Sequence, residues 1–435
     1  MVLRFSLYVF CLITKSLIYQ NRKESIMIMK KYFMDLHVHI GRSGNGAPVK
    51  ITASRDLTFA NIARECKYRK GIDIVGIVDC ASPGVIDDIS QLINSGEMKP
   101  LKEGGLIYQD KVTIILGSEI ETKEKGGGHS HQIAYFPYFE DIKEFSKALS
   151  LLVTNVSLSS QNCKISAQEA FQIINQIGGI LIPAHAFTPH KSVYGNCVRR
   201  LPEMFSKSAL KKIPAIELGL SADTEIADHL KELSEYTFLT NSDAHSLPKI
   251  GREYNIVELE KANFKEILLA LQRKEGRKIT ANYGLNPKLG RYHRTFCEIC
   301  NYTATSNPPV YQCEKCGSDK IVKGVFDRIV EIGDQQQSIS PSHRPPYYHQ
   351  VPLEFVPGAG KKTLNKIFGY FGTEMNILHK ASYQEISQVV GFEIAQNIIL
   401  ARKGLLKLSP GGGGKYGKVK KKEKISEDKN LHLNF

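Results

Sequence analysis

Two histidines two residues apart, in Asp35-Leu36-His37-Val38-His39, are the first residues whose types and spacing point to chemistry. They follow the run Tyr32-Phe33-Met34, which reads as a strand, and alternation along a strand turns both imidazoles to one side. Such a pair grips a divalent metal ion when other ligands converge on it; alone, a His-x-His is a common surface coincidence. Candidate partners recur downstream with one local pattern, an apolar run that stops at an acid or a histidine. They are Ile74 to Val78 before Asp79, Val112 to Leu116 before Glu119, Ile180 to Pro183 before His185, and Tyr236 to Leu239 before Asp243 and His245. Imidazoles and carboxylates suit zinc, manganese or a similar divalent ion, and Glu119, with two oxygens, can bridge two of them. Ions so held activate a water and grip phosphoryl oxygens during in-line attack, so the constellation points to phosphoester hydrolysis. Taken singly, His185 also reads as a satisfied buried histidine and Asp243 as a turn or N-cap residue.

The elements that must position these groups alternate from residue 32 to about 285. Strand-like runs are separated by helical periodicity at 56–70, 141–152, 166–177, 223–235 and 262–274, which predicts a parallel α/β sheet or barrel with ligands at successive strand ends. Ser166 and Glu169 form a capping-box pattern, and Gly178-Gly179 ends that helix before the strand that delivers His185. A second constellation lies at 290–335. Cys297-Glu-Ile-Cys300 and Cys313-Glu-Lys-Cys316, twelve residues apart, place four thiolates in tetrahedral reach of one structural zinc, a zinc ribbon.

After the Pro/Ser-rich connector 340–346, residues 350–417 read as a small helical domain. Val356-Pro357-Gly358-Ala359-Gly360-Lys361-Lys362-Thr363 opens its first helix in the manner of a helix-hairpin-helix turn, with Gly358 and Gly360 letting backbone N–H groups approach a DNA phosphate beside Lys361 and Lys362. A plain glycine turn between packed helices is the alternative. Gly411 to Gly414 and Lys415 are expected to lie along a strand backbone, and the basic tail 418–435 to add nonspecific affinity.

Composition agrees with a nucleic-acid partner. The 435 residues are 42% hydrophobic, enough for two or three cored domains, and 58 Lys and Arg against 44 Asp and Glu leave a net charge of +14. A generally basic soluble protein is the bland alternative. Nine cysteines without a framework spacing argue against a secreted disulfide scaffold and for a reducing cytoplasm, in association with the nucleoid. The apolar run Phe5 to Ile13 is short for a membrane span, no membrane is expected as a partner, and residues 1–31 read as an extension from a start assigned too early, ahead of Met27, Met29 and Met34.

The set Asp35-Leu36-His37-Val38-His39, Gly117-Ser118-Glu119, His131, Pro183-Ala184-His185 and Asn241-Ser242-Asp243-Ala244-His245 resembles the polymerase and histidinol phosphatase (PHP) superfamily. The longer strings Pro183 to Pro189, Glu217 to Asp223 and Gly251 to Asn255 resemble endonuclease Q, over roughly residues 32–417. The resemblance implies a distorted (β/α)7 barrel with two or three divalent ions (Zn, Mn or Mg), and cleavage of DNA 5′ of deaminated bases such as uracil, hypoxanthine or xanthine, and of abasic sites. It implies that His37, His39, Glu119 and Asp243 hold one ion, that Glu119, His131 and His185 hold a second, and that His245 belongs to a third-metal region. There the sequence departs from the pattern, with Cys80 after Asp79 and Asn45 six residues past His39, though Asp79 remains a candidate ligand. His129 competes with His131, which is preferred because it opens the run Gln132 to Phe136. Asp223 is either a helix cap or, as the matching string favours, close to the metals or an everted nucleotide. Ser192 and Tyr194, in the loop after His185, are expected to contact phosphate or stack on a base. A phosphoesterase of a small metabolite would leave the ribbon and basic C-terminal third unexplained, and a nonenzymatic DNA-binding protein would leave the retained ligands unexplained. Asn430 to Phe435 is similar to the short motif by which repair proteins dock on a sliding clamp, with Asn430 where Gln is usual.

Overall fold

The computed structural model describes residues 28–419. Residues 1–27, most of the expected extension, and 420–435, including the clamp-like motif, lie outside the described residues.

Seven strands ring the site: β1 (Lys30–Val38), β2 (Ile74–Ile77), β3 (Val112–Lys123), β4 (His129–Phe136), β5 (Ile180–Pro183), β6 (Ala215–Glu217) and β7 (Thr237–Leu239). β1, β2 and β3 run parallel, β4 is antiparallel to both β3 and β5, and β6 is parallel to β7. Between β5 and β6 the ring is joined by Ala186 N donating to Glu217 O. It closes beyond β7, where His39 N donates to Ala244 O and Ala244 N to His37 O. This is a distorted α/β barrel. The distortion has a sequence cause: only residues 124–128, three of them glycine, join β3 to β4, too few for a crossover helix.

Glu119 does not stand where its strand stops. β3 continues to Lys123 because its second half pairs with β4, so Glu119 faces Ile133 in mid-ladder. Outside the ring, β8 (Tyr254–Leu259), β9 (Lys278–Gly284) and β10 (Tyr347–His349) extend the sheet from β1.

Five helices cover the barrel: α1 (Phe59–Glu65), α2 (Pro83–Asn94), α3 (Phe139–Ser150), α4 (Ala167–Ile177) and α5 (Phe264–Leu271). The capping box of α4 forms, with Ser166 accepting from Glu169 N and Gly178 in the left-handed region at its end. α2 was not expected, although Pro83 in its first turn and the buried pair Val85 and Ile89 carry the signal. The expected helix 223–235 is instead a short helix Thr224–Ala227 and a 3-10 turn Lys231–Glu235. It breaks at Asp228, whose buried carboxylate accepts from Arg344 at 2.7 Å and from Ser340 at 2.6 Å.

Beyond the barrel, Phe296–Cys297 pairs with Ile321–Val322, and α6 (Val325–Ile332) packs back on the barrel through Arg328 Nε donating to Tyr194 O at 2.8 Å. The helical region comprises α7 (Lys361–Phe371), α8 (Glu374–His379), α9 (Tyr383–Val390) and α10 (Phe392–Arg402). It is pinned to the barrel by the buried pair Lys70–Glu374 at 2.6 Å, by Lys249–Glu354 at 2.5 Å, and by His379 against Phe33 and the Tyr254 hydroxyl. Among the described residues no helix is long and apolar enough to cross a membrane.

Candidate metal centre

Side-chain donors meet at one end of the ring. An ion bound tetrahedrally with ligands about 2.0–2.1 Å away spaces those ligands by roughly 3.3 Å. His37 Nε2 lies 3.3 Å from His39 Nε2, and Asp243 Oδ1 lies 3.4 Å from His39 Nε2 and 3.6 Å from His37 Nε2. In a second group, His131 Nδ1 and His185 Nε2 are 3.3 Å apart, and Glu119 Oε1 lies 2.9 and 3.4 Å from them. Glu119 sits between the groups, its Oε1 3.6 Å from His37 and its Oε2 3.7 Å from His39. Acceptor atoms facing acceptor atoms at these spacings, on four buried and two partly buried residues, fit divalent ions.

The far side of each ring fixes its orientation. His37 Nδ1 bonds Glu217 at 3.0 Å, and His39 Nδ1 bonds Asp79 at 3.1 Å, which places a proton on each Nδ1 and turns each Nε2 inward, where an ion would displace its proton. Glu217 also accepts from His185 N at 2.7 Å and from Asn241 Nδ2 at 2.8 Å, tying three rim segments to one carboxylate. His185 and Asp243 both have positive φ, 28° and 45°, a strained conformation for residues other than glycine that marks sites where position outweighs comfort. Gly219 permits the first: a Cβ there would come within 2.8 Å of His185 Cβ.

Electrostatics agree. Burial alone would hold the His37 pKa down, but the carboxylates of Glu217, Asp243 and Glu119 push it up to about 10. Burial opposes ionisation of Glu119 and Asp243 too, yet His131 and Lys50 at the first, and His39 and His37 at the second, hold both well below the usual carboxylate range. A field that draws protons this strongly also favours a dication, and the two compete for the same lone pairs.

Several expected residues lie elsewhere. Asp79 joins neither donor group; it accepts from His39 Nδ1 and from Ile40 N at 2.6 Å, and so orients a ligand. Cys80 is fully buried, its thiol donating to Ile77 O. The His245 ring lies tilted against that of His39, with centroids 4.5 Å apart, and joins neither group. His129 bonds Glu121 at 2.7 Å, leaving His131 as the ligand candidate. Asp223 is a helix cap, accepting from Ile226 N at 2.9 Å and pairing with His349. Ser192 and Tyr194, expected at a phosphate or a base, both lie inside the fold. Ser192 is buried and donates to Thr188 O, and Tyr194 is buried, stacked on Phe187, with its hydroxyl on Glu232. Lys361 and Lys362 are exposed at the start of α7, after Gly360 as its N-cap and Gly358 at φ 86°. Lys415 is exposed in a tight turn closed by Gly412.

Other groups were not expected. Glu217 ends an apolar run, Ile213 to Ile216, so the same pattern that found Asp79 could have found it. Arg252 donates to Ser242 O and Asp243 O and reaches the Tyr416 hydroxyl at 3.2 Å, and Arg291 lies 4.2 Å over the Tyr416 ring. Arg291 and Tyr416 wall a cavity of about 110 Å³ that also touches His185, Glu217 and Asp243. Only chain folding brings residue 416 there.

In the ribbon, Cys297 and Cys316 sulfurs are 3.7 Å apart and those of Cys300 and Cys313 3.5 Å, near the roughly 3.8 Å edge expected around zinc with 2.3 Å bonds.

Residues 225–275 match a family model described as PHP-associated. The chain is 46% identical over 394 residues to YqxK, an uncharacterized protein of Bacillus subtilis, covering 90% of this chain and all of that one. The crystal structure of the lesion-specific endonuclease PfuEndoQ from Pyrococcus furiosus superposes with a TM-score of 0.76 at 33% identity, covering 90% of this chain and 95% of that one. Endonuclease Q in complex with a 27-mer duplex carrying an abasic lesion at the active site matches with a TM-score of 0.78 at 33% identity, over 93% of this chain and all of that one.

Proposed function

The chain belongs to the endonuclease Q family of the PHP superfamily, and from that premise we propose that it is a metal-dependent DNA repair endonuclease that nicks the strand 5′ of deaminated bases and abasic sites. The observation that carries the reading is the pair of donor groups on one barrel rim, with Glu119 between them. His37, His39 and Asp243 would hold one divalent ion, and Glu119, His131 and His185 a second. When bound, such ions supply Lewis-acid grip on a phosphodiester and a water of lowered pKa.

The chain's own residues do the rest. Glu217 and Asp79 hold the Nδ1 side of His37 and His39 and so aim their Nε2 atoms inward, and Arg252 fixes the backbone of Asp243. The cavity beside the rim, walled by Arg291, Tyr292, Tyr416 and the Gly219–Ser221 backbone, suits a nucleotide taken out of the stack. Uracil and hypoxanthine each carry a carbonyl where an amino group was lost, and a backbone N–H there would serve both. Poorly paired lesions are also the least costly to evert. Lys361, Lys362 and Lys415 are exposed and would meet phosphates, which would make affinity salt-dependent. The protein would then act at the nucleoid, with residues 430–435 docking a clamp; deleting them should cost co-elution with the clamp and leave nicking of short duplexes intact.

The test is incision of a labelled duplex with one uracil, in Mg²⁺ or Mn²⁺, mapped to the nucleotide. A single nick 5′ of the lesion is expected. Equal nicking of undamaged duplex, or activity confined to small phosphomonoesters, refutes the proposal.

A further inference from the structure

The loop after His39 returns to the site. Lys50 N donates to Ile40 O at 2.9 Å and Val49 N to Gly41 O, which carries the Lys50 side chain back over the rim. Its ammonium lies 3.1 Å from Glu119 Oε2 and 2.6 Å from Ser160 Oγ, with only 13% of the side chain exposed. Ser160 in turn donates to the same Glu119 oxygen. It arrives from a different connection, after α3, and adopts φ 52°, a left-handed conformation that costs a non-glycine residue energy. Ser159 N donates to Val49 O, so the two loops form one unit.

Two donors therefore converge on one oxygen of the carboxylate that stands between the donor groups, and none of this is shared by the other oxygen. Glu119 Oε1 faces His131, His185 and His37, while Oε2 faces His39, Lys50 and Ser160. A buried ammonium and hydroxyl on Oε2 withdraw electron density from it and place a fixed positive charge within a few ångströms of the His37, His39 and Asp243 group. Both effects weaken the hold on a cation at that group more than at the His131 and His185 group.

We propose that Lys50 and Ser160 are positioning residues that polarise the Glu119 carboxylate toward one oxygen and so make the ion at His37, His39 and Asp243 the more weakly held, more electrophilic member of the pair. The proposal rests on the two-ion reading of the barrel. It assigns these residues a cost in metal affinity that a merely structural lysine would not carry.

The experiment loads the full-length protein with manganese and follows release of ions to a chelator, alongside direct metal analysis. In the unsubstituted protein, one barrel ion should leave at least about tenfold faster than the other. Lys50→Met should slow that faster phase toward the slower one and lower turnover on a uracil duplex, while Lys50→Arg, which keeps the charge, should release metal like the unsubstituted protein. Ser160→Ala, which removes one hydroxyl, should shift the fast phase in the same direction by less and guards against misfolding of the methionine variant. Unchanged or faster release in both Lys50→Met and Ser160→Ala overturns the proposal. Absence of any barrel ion from the unsubstituted protein overturns the two-ion reading along with it.

Discussion

The barrel rim and the ribbon both gather metal donors, but by opposite means. The rim draws its six from His37 to Asp243, spread over most of the barrel sequence, whereas the ribbon takes four from Cys297 to Cys316. Rim donors are set by hydrogen-bonded strands and braced from behind by Glu217, Asp79 and Arg252. The ribbon has two strands of two residues each, and its brace, Asp327 accepting from Arg294, Thr295 N and Val310 N, touches none of the four cysteines. The rim is thus organised by the fold and ready for its ions, while the ribbon is organised by its ion. Removing metal should silence the first and unfold the second.

The largest expected effect tests the first half of that contrast. Asp243→Asn should lower the incision rate by on the order of a thousandfold, about 4 kcal/mol in barrier, with the thermal midpoint nearly unchanged. A large fall in midpoint would mean that the rim depends on its donors for folding. The second half is tested by Cys300→Ser. That variant should lose one zinc per chain and several kcal/mol of local stability, read by hydrogen exchange around 296–322, while the barrel ions stay. Unchanged zinc content would remove the ribbon assignment. Glu217→Gln sharpens the comparison further, because it leaves every rim donor in place and weakens only the bracing. A loss of about 10- to 100-fold in metal affinity is expected from metal titration. No loss would mean that the ring of His37 needs no support.

The smallest effect concerns the contact between the helical region and the barrel. His379 packs against Phe33 and the Tyr254 hydroxyl, and burial, then Arg402 and Lys380, hold its pKa down to about 4, below the ordinary histidine value of about 6.5. A histidine kept neutral in the fold contributes stability that is full above its unfolded pKa and is lost as pH falls from about 6.5 toward 4. Hydrogen-exchange protection of α8 should therefore decline across that window, and His379→Phe should flatten the decline. An identical decline in the phenylalanine variant would point to other groups.

Four of the six candidate ligands were legible in the sequence because they lie where periodicity changes: His37 and His39 at the end of an alternating strand, His185 after Ile180 to Pro183, Asp243 after Tyr236 to Leu239; Glu119 and His131 lie inside their strands. The ribbon was legible because its spacing is local. What the sequence hid depends on contacts between distant segments. Ser192 and Tyr194 look like polar loop residues, yet α6 and Glu232 close over them and bury both. Asp79 matches the pattern of a ligand, but its strand stops one shell short, against His39 rather than beside it. Tyr416 and Lys50 reach the rim only because their loops fold back, at Gly417 onto Leu289 and at Lys50 onto Ile40. No periodicity in the sequence marks those pairs.

The central claim is that the rim performs the chemistry and the basic surfaces supply the affinity. It is tested most directly by measuring, on the same uracil duplex and at one salt concentration, both binding and incision by His37→Ala. The account predicts a dissociation constant within a few-fold of the unsubstituted protein and no detectable nick. A loss of binding as large as the loss of cleavage, or cleavage that persists without His37, would contradict it.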